Sequence, residues 1–160
     1  MVNFLLGHSL NSFGILPRSL GGLVGIPLSP LLHGNFGHLI ANSAPLLILG
    51  GLVSLRGHRA FLHTTVGIVL IGGLAVWIVA RDALHVGASG LVFGYFGYLL
   101  DRAWVERSFR TIAPAAIALV LYAGLVWGIL PLKQGTSWES HLFGLLAGIF
   151  MSRVTRSSSG

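Results

Sequence analysis

Ser89 lies in Gly87-Ala88-Ser89-Gly90, a run of small residues within apolar sequence, and His141 is a polar island in a late apolar segment. A serine with such small neighbours presents its hydroxyl without crowding. That hydroxyl is a weak nucleophile until a base takes its proton, and histidine suits the task best near neutral pH. A histidine at lipid depth is expensive unless it has a partner or a function. Together the two residues point to a serine nucleophile and a histidine base meeting inside a membrane. Each has a plainer reading alone: Ser89 as a packing residue or helix cap, His141 as an interfacial histidine beside Glu139.

His38 and Asn42 are four residues apart and share one helix face. Both can donate hydrogen bonds to a developing negative charge, although polar glue between helices is the alternative. If Ser89 opens a helix, its first-turn N–H groups lack intrahelical acceptors and can hold an oxyanion as well. His33, at the mouth of the helix carrying His38, reads as a structural residue holding a surface loop. His85 lies close to Ser89 but in a loop, and water-facing is the expectation. His58 and His63 are expected to be solvated, and His8 carries no stronger signal. Histidines are scattered, cysteine is absent, and the four acids (Asp82, Asp101, Glu106, Glu139) are expected at span ends, so no metal site is expected. No glycine loop ending in Lys-Ser/Thr cradles a phosphate, and no cofactor is expected.

The elements that must position these residues are membrane helices. The chain is 54% hydrophobic and 9% charged, against roughly 25% charge in an ordinary soluble domain. Its mean hydropathy is +0.83. Its 23 glycines suit close packing between membrane helices. The net charge of +6 does not indicate nucleic acid, because the arginines are spread between apolar spans rather than gathered in a patch. A spanning helix needs roughly 20 apolar residues. Phe36 to Leu55, Ala60 to Ala80 and Ile112 to Leu130 meet that length; Gly87 to Leu100 and His141 to Met151 are shorter. Residues 1–16 read as the remnant of a first helix, 17–34 as an outer loop, 35–154 as the helices carrying the site and 155–160 as a frayed tail, all in one domain. Leu20 to Leu32 contains Pro27, Pro30 and three glycines, so one straight helix is excluded and an irregular segment at the membrane surface is expected. No charge is expected inside a span, which leaves a channel or transporter with little support.

The cations orient the spans. Arg56, Arg59, Arg102, Arg107, Arg110, Arg153 and Arg156 occupy one set of loops; Arg18, Arg81 and Lys133 occupy the other. The richer set is expected on the cytoplasmic side. Ser89 then lies roughly 20 Å above its cytoplasmic anchor Arg102, His141 roughly 18 Å above Arg153, and Asn42 roughly 21 Å above Arg56, at about 1.5 Å per residue. All three fall at one depth, about 10 Å below the outer surface of a 30 Å core. Gly144 and Gly148 follow His141 at i+3 and i+7, while Gly90, Gly94 and Gly97 form a matching stripe beside Ser89. Two smooth faces should pack together with Ser89 and His141 at their upper ends.

These motifs resemble the rhomboid intramembrane serine proteases. His33-Gly-Asn-Phe-Gly-His38-Leu-Ile-Ala-Asn42 is similar to the family's His-x4-His-x3-Asn signature on its second transmembrane helix. Gly87-Ala-Ser89-Gly is similar to the Gly-x-Ser-Gly motif opening the fourth, and His141-Leu-Phe-Gly144-Leu-Leu-Ala-Gly148 to the His-x2-Gly-x3-Gly pattern of the sixth. The resemblance covers nearly the whole chain from about residue 10. It implies an all-α, polytopic six-helix membrane bundle, here with the first helix truncated. It further implies a catalytic Ser89–His141 dyad with no third acid, and an oxyanion site from His38, Asn42 and the Ser89 N–H. The implied partners are the bilayer and single-span membrane proteins, cut near their outer end, in a multi-pass protein of a bacterial cytoplasmic membrane. Two features depart from the family: Phe93 stands where many relatives carry tyrosine, and the common Trp-Arg pair is absent between Leu20 and His33. The alternative is a catalytically silent relative that binds transmembrane helices.

Overall fold

The computed structural model describes residues 7, 9–131 and 136–155, so Lys133, His8 and most of the expected tail lie outside the described residues. Six helical elements follow one another: α1 (Leu20–Leu31), α2 (Phe36–Ser54), α3 (His58–Val79), α4 (Ser89–Glu106), α5 (Phe109–Ile129) and α6 (Trp138–Val154). No strand occurs among the described residues; an isolated antiparallel bridge joins Ile15 to His85. Of the segment expected as a first-helix remnant, residues 1–6 and 8 are outside the described residues, and Ser9–Phe13 forms a 3-10 turn.

α2, α3 and α5 are long and apolar enough to cross a membrane. Their outer faces are apolar where a soluble protein would be polar: Phe109 and Val120 are each 85% exposed, and Leu47 is 75% exposed. In lipid this costs nothing, since the hydrocarbon tails are as apolar as the side chains they meet. α1 is the irregular segment that its prolines require, three short turns at Leu20–Leu23, Gly25–Leu28 and Ser29–Leu31. It is tied to the end of α3, where the Trp77 indole N–H donates to the Ser19 carbonyl at 2.8 Å and Arg18 Nη1 donates to the Ala80 carbonyl at 2.7 Å.

α4 is the central post. Its Val92, Tyr95, Phe96, Tyr98 and Leu99 form one core with Leu49 and Val53 of α2, Ile68 of α3, Ala118 of α5 and Met151 of α6. Enclosed on all sides, it need not be apolar throughout, and it continues past the expected end at Leu100 to Glu106. Asp101, Arg102 and Glu106 therefore lie within a helix, and Arg102 is not in the loop where it was expected. Each is satisfied. Arg102 donates to the Ser152 carbonyl at 2.6 Å and pairs with Glu106 at 2.8 Å; Glu106 also pairs with Arg56 at 2.7 Å, and Asp101 accepts from Ser152 and Arg153.

The α4–α6 contact is backbone against backbone. A Cβ on Gly144 would land on the Gly90 carbonyl, and one on Gly148 on the Gly94 carbonyl. The two expected glycine stripes do face each other. α3 contributes a π turn at Ile68–Gly72 that brings Gly72 alongside Gly144 of the same helix pair. By contrast, Gly51 on α2 has open space where its Cβ would stand.

Gly144→Ala and Gly148→Ala are each expected to destabilise the solubilised protein by at least about 1–3 kcal/mol, the range for overpacked cores. Gly51→Ala should be neutral or stabilising by up to about 1 kcal/mol, because alanine is the better helix former. Thermal melts in detergent check both; equal melting of Gly148→Ala and wild type would remove the close contact.

Candidate active site

Ser89 is the first residue of α4, and the chain reaches it through a tightly held loop. His85 exchanges both backbone hydrogen bonds with Ile15, at 3.0 and 2.9 Å, and the Gly87 N–H donates to the Ser29 carbonyl at 2.9 Å. Gly87 has φ +119°, which L side chains rarely adopt, and a Cβ there would stand 2.6 Å from His38 Cε1 and 2.9 Å from His38 Nε2. Glycine is needed for both reasons: it makes the turn into α4, and it lets the His38 ring lie against the loop.

α2 begins at an Asn35 cap whose side chain accepts from the His38 N–H at 2.8 Å. Asparagine is among the strongest N-caps. One turn on, the buried Asn42 side-chain amide donates to the His38 carbonyl at 3.0 Å, and its nitrogen sits beside Gly87. The His33 ring meets the His38 ring edge-to-face, with centroids 5.4 Å apart, and the His33 carbonyl accepts from Asn11. His33 thus links the mouth of α2 to the preceding loop.

His141, one turn into α6, is clasped on two sides. Its ring stacks on Phe93 of α4, with centroids 4.2 Å apart and planes 5° from parallel. Its Nδ1–H donates to the Gly128 carbonyl at 2.7 Å. Gly128 is the penultimate residue of the 3-10 stretch Ala123–Ile129 that closes α5, where the last carbonyls of a helix lack intrahelical partners. A carbonyl can only accept, so the proton is on Nδ1 and the Nε2 lone pair is free to act as a base. The contact requires glycine: a Cβ at 128 would press on Phe93 at 2.7 Å and on His141 at 3.2 Å.

Ser89, His141, His38 and Asn42 all line one cavity of about 680 Å³, with Phe93, Gly128 and Pro45 in its wall. Residues from three helices and far apart in sequence are brought together as expected from depth. His58 and His63 both stand on α3 and are exposed. His85 is not water-facing: it is 1% exposed, with Nδ1 at 3.0 Å from Ser137 Oγ and Nε2 at 3.3 Å from the Arg81 carbonyl. The loop expectation failed because the bridge to Ile15 and the start of α6 cover it. Glu139 stands in the first turn of α6, where it is buried and paired to Arg81 at 3.5 Å. Sequence reasoning also missed Gly128, whose contribution is a backbone carbonyl that leaves no side-chain trace.

A helical bundle with a small-residue serine opening its central helix and a histidine on the helix packed against it is the architecture the motifs implied; the expected first-helix remnant lies largely outside the described residues. The Rhomboid domain family model matches residues 21–158, and the chain belongs to the rhomboid family. An uncharacterised protein of Mycobacterium tuberculosis is 37% identical over 158 residues, 93% of this chain and 66% of that protein. YdcA of Bacillus subtilis, provisionally named a rhomboid protease, is 31% identical over 126 residues, 76% of this chain and 62% of its own. RHOMBOID-like protein 4 of Arabidopsis thaliana is 30% identical over 131 residues, 77% of this chain and 32% of its own. The chain thus spans about two thirds of the length of its mycobacterial relatives. Membrane-capable helices and family together make it an integral membrane protein.

Gly87→Ala is expected to slow reaction at Ser89 by about 10²-fold, the scale for losing one oxyanion donor. The rate of fluorophosphonate labelling at Ser89 measures it, with a thermal melt alongside. A wild-type rate would show that the approach of His38 to the loop is not needed.

Proposed function

We propose that this chain is an intramembrane serine endopeptidase that cleaves single-span membrane proteins with a Ser89–His141 dyad. The observation that carries the reading is the Nδ1–H bond from His141 to Gly128, which leaves Nε2 as a base over the cavity that Ser89 shares. Ser89 Oγ attacks the carbonyl carbon of the scissile bond while its proton passes to His141 Nε2. The carbonyl oxygen becomes an oxyanion that takes hydrogen bonds from the Asn42 amide, the His38 ring and the Ser89 N–H at the start of α4. Collapse breaks the C–N bond, and His141 returns the proton to the leaving amine. Water then attacks the acyl-serine by the same route and regenerates Ser89.

No acid takes the third place of a triad. The imidazolium formed in each step is instead held by the Gly128 carbonyl, which accepts its Nδ1–H, and by the face of Phe93. Phe93 lacks a hydroxyl, so it orients His141 by stacking alone.

The site is expected about 10 Å below the outer surface, from helix rise and core thickness. A substrate helix shields its own peptide bonds, so local unwinding must precede attack. Glycine or proline in the substrate span lowers that cost by roughly 1–3 kcal/mol.

The test is cleavage of a model single-span substrate in liposomes. Ser89→Ala and His141→Ala are each expected to abolish it with the fold retained, and the double variant should be no worse, since the pair acts as a unit. Wild-type cleavage should rise with pH through the neutral range, because only the neutral imidazole is a base, and level off above it. Equal cleavage by wild type and Ser89→Ala would remove the serine mechanism. Binding of the substrate without cleavage by wild type would favour a silent helix-binding relative.

A further inference from the structure

Two polar segments precede the two halves of the proposed dyad, and they are joined. Arg81 to His85 leads into Ser89, and Thr136 to Glu139 leads into His141. His85 stands four residues before Ser89, and Ser137 stands four residues before His141. Their side chains meet at 3.0 Å. Arg81 reaches across twice more, from Nη2 to the Thr136 carbonyl at 2.7 Å and from Nε to Glu139 at 3.5 Å.

The hydrogen-bond directions follow from the partners. His85 Nε2 faces the Arg81 carbonyl, which can only accept, so the proton is on Nε2. Nδ1 is then an acceptor, and the Ser137 hydroxyl donates to it. Ser137 occupies the N-cap position of α6, where a serine side chain ordinarily accepts from a first-turn N–H. Here it makes no such cap; its hydroxyl is committed to His85. Its carbonyl accepts from the His141 N–H at 3.3 Å, so Ser137 is tied to the dyad on one side and to His85 on the other. His85 has little freedom to absorb a shift, since Ile15 holds its backbone on both sides and its ring is buried.

We propose that His85 and Ser137 are positioning residues: their hydrogen bond, braced by Arg81 and Glu139, sets the separation and orientation of Ser89 and His141. The clamp rests on the serine-protease reading for its effect on rate. The glycine contacts between α4 and α6 hold the helices together along their length. The clamp acts at their open upper end, where the two loops would otherwise be free to spread. Since a misplacement of about 1 Å in a reacting geometry can cost about a hundredfold, a single hydrogen bond at this place can matter for rate while contributing little to the fold.

The experiment compares wild type, Ser137→Ala and Ser137→Thr. Alanine removes the hydroxyl and little volume; threonine restores it. Ser137→Ala is expected to lower kcat for a model single-span substrate at least tenfold with KM unchanged, and to lower the fluorophosphonate labelling rate of Ser89 by a similar factor. Its thermal melt should stay near wild type, and Ser137→Thr should recover both rates. The imidazole ¹⁵N resonances of His141 report the same displacement without turnover: they should move in Ser137→Ala and return in Ser137→Thr. Wild-type rates or unmoved His141 resonances in Ser137→Ala would overturn the clamp. Absence of Ser89 labelling in the wild type would instead overturn the protease reading, and the His141 resonances then still decide whether the clamp exists.

Discussion

The rest of the structure depends on the absence of side chains at Gly144 and Gly148. A Cβ at either position would collide with a carbonyl of α4, that of Gly90 or Gly94 respectively. Lipid tails supply no hydrophobic drive between membrane helices, so association rests on van der Waals contact at close range. Backbone contact of this kind fixes the distance and rotation of α6 against α4 more tightly than interleaved side chains can. It also puts His141 one turn above Gly144, at the height of Ser89. The relative placement of the two residues of the proposed dyad is thus inherited from main-chain packing, and the surrounding side chains refine it.

The two ends of the bundle solve different problems. At the end away from the site, Arg56, Arg102 and Glu106 form one network, and Asp101, Ser152 and Arg153 another, locking α4 to α2 and α6. Charges in a low-dielectric setting are tolerable only when paired and hydrogen-bonded, and these are. At the site end the cavity has a mixed lining, polar at His38, Asn42, Ser89 and His141 and apolar at Pro45 and Phe93. The Ser89 loop hangs from Ile15 and Ser29, while His141 leans on Phe93 and on the spare carbonyl of Gly128. A helix ending thereby serves twice: an unsatisfied carbonyl of α5 finds a donor, and the histidine is held in one tautomer.

Much of this was readable from residue types and spacing. Small-residue stripes beside Ser89 and His141 foretold the α4–α6 contact, because glycine at i+3 and i+7 has few uses on a membrane helix other than close approach. Equal distances from arginine anchors foretold that Asn42, Ser89 and His141 would come together, and all three line one cavity. The prolines of 20–31 foretold an irregular segment. Other features were hidden for physical reasons. α4 runs on to Glu106, beyond the apolar run that ends at Leu100, because a helix can continue where its charges are paired, as Arg102 is with Glu106 and Ser152. His85 was misjudged because a loop position says nothing about what folds over it, and Ile15 lies seventy residues away. Gly128 acts through its carbonyl, which every residue has.

The central claim is that packing delivers a histidine base to a serine and activates it. The most direct measurement is the site and His141 dependence of covalent labelling by a fluorophosphonate, read by intact mass and peptide mapping of the protein in liposomes. The account predicts one adduct per chain, on Ser89, and none in His141→Ala with the fold intact. Labelling of another residue, or of Ser89 at the same rate without His141, would contradict it.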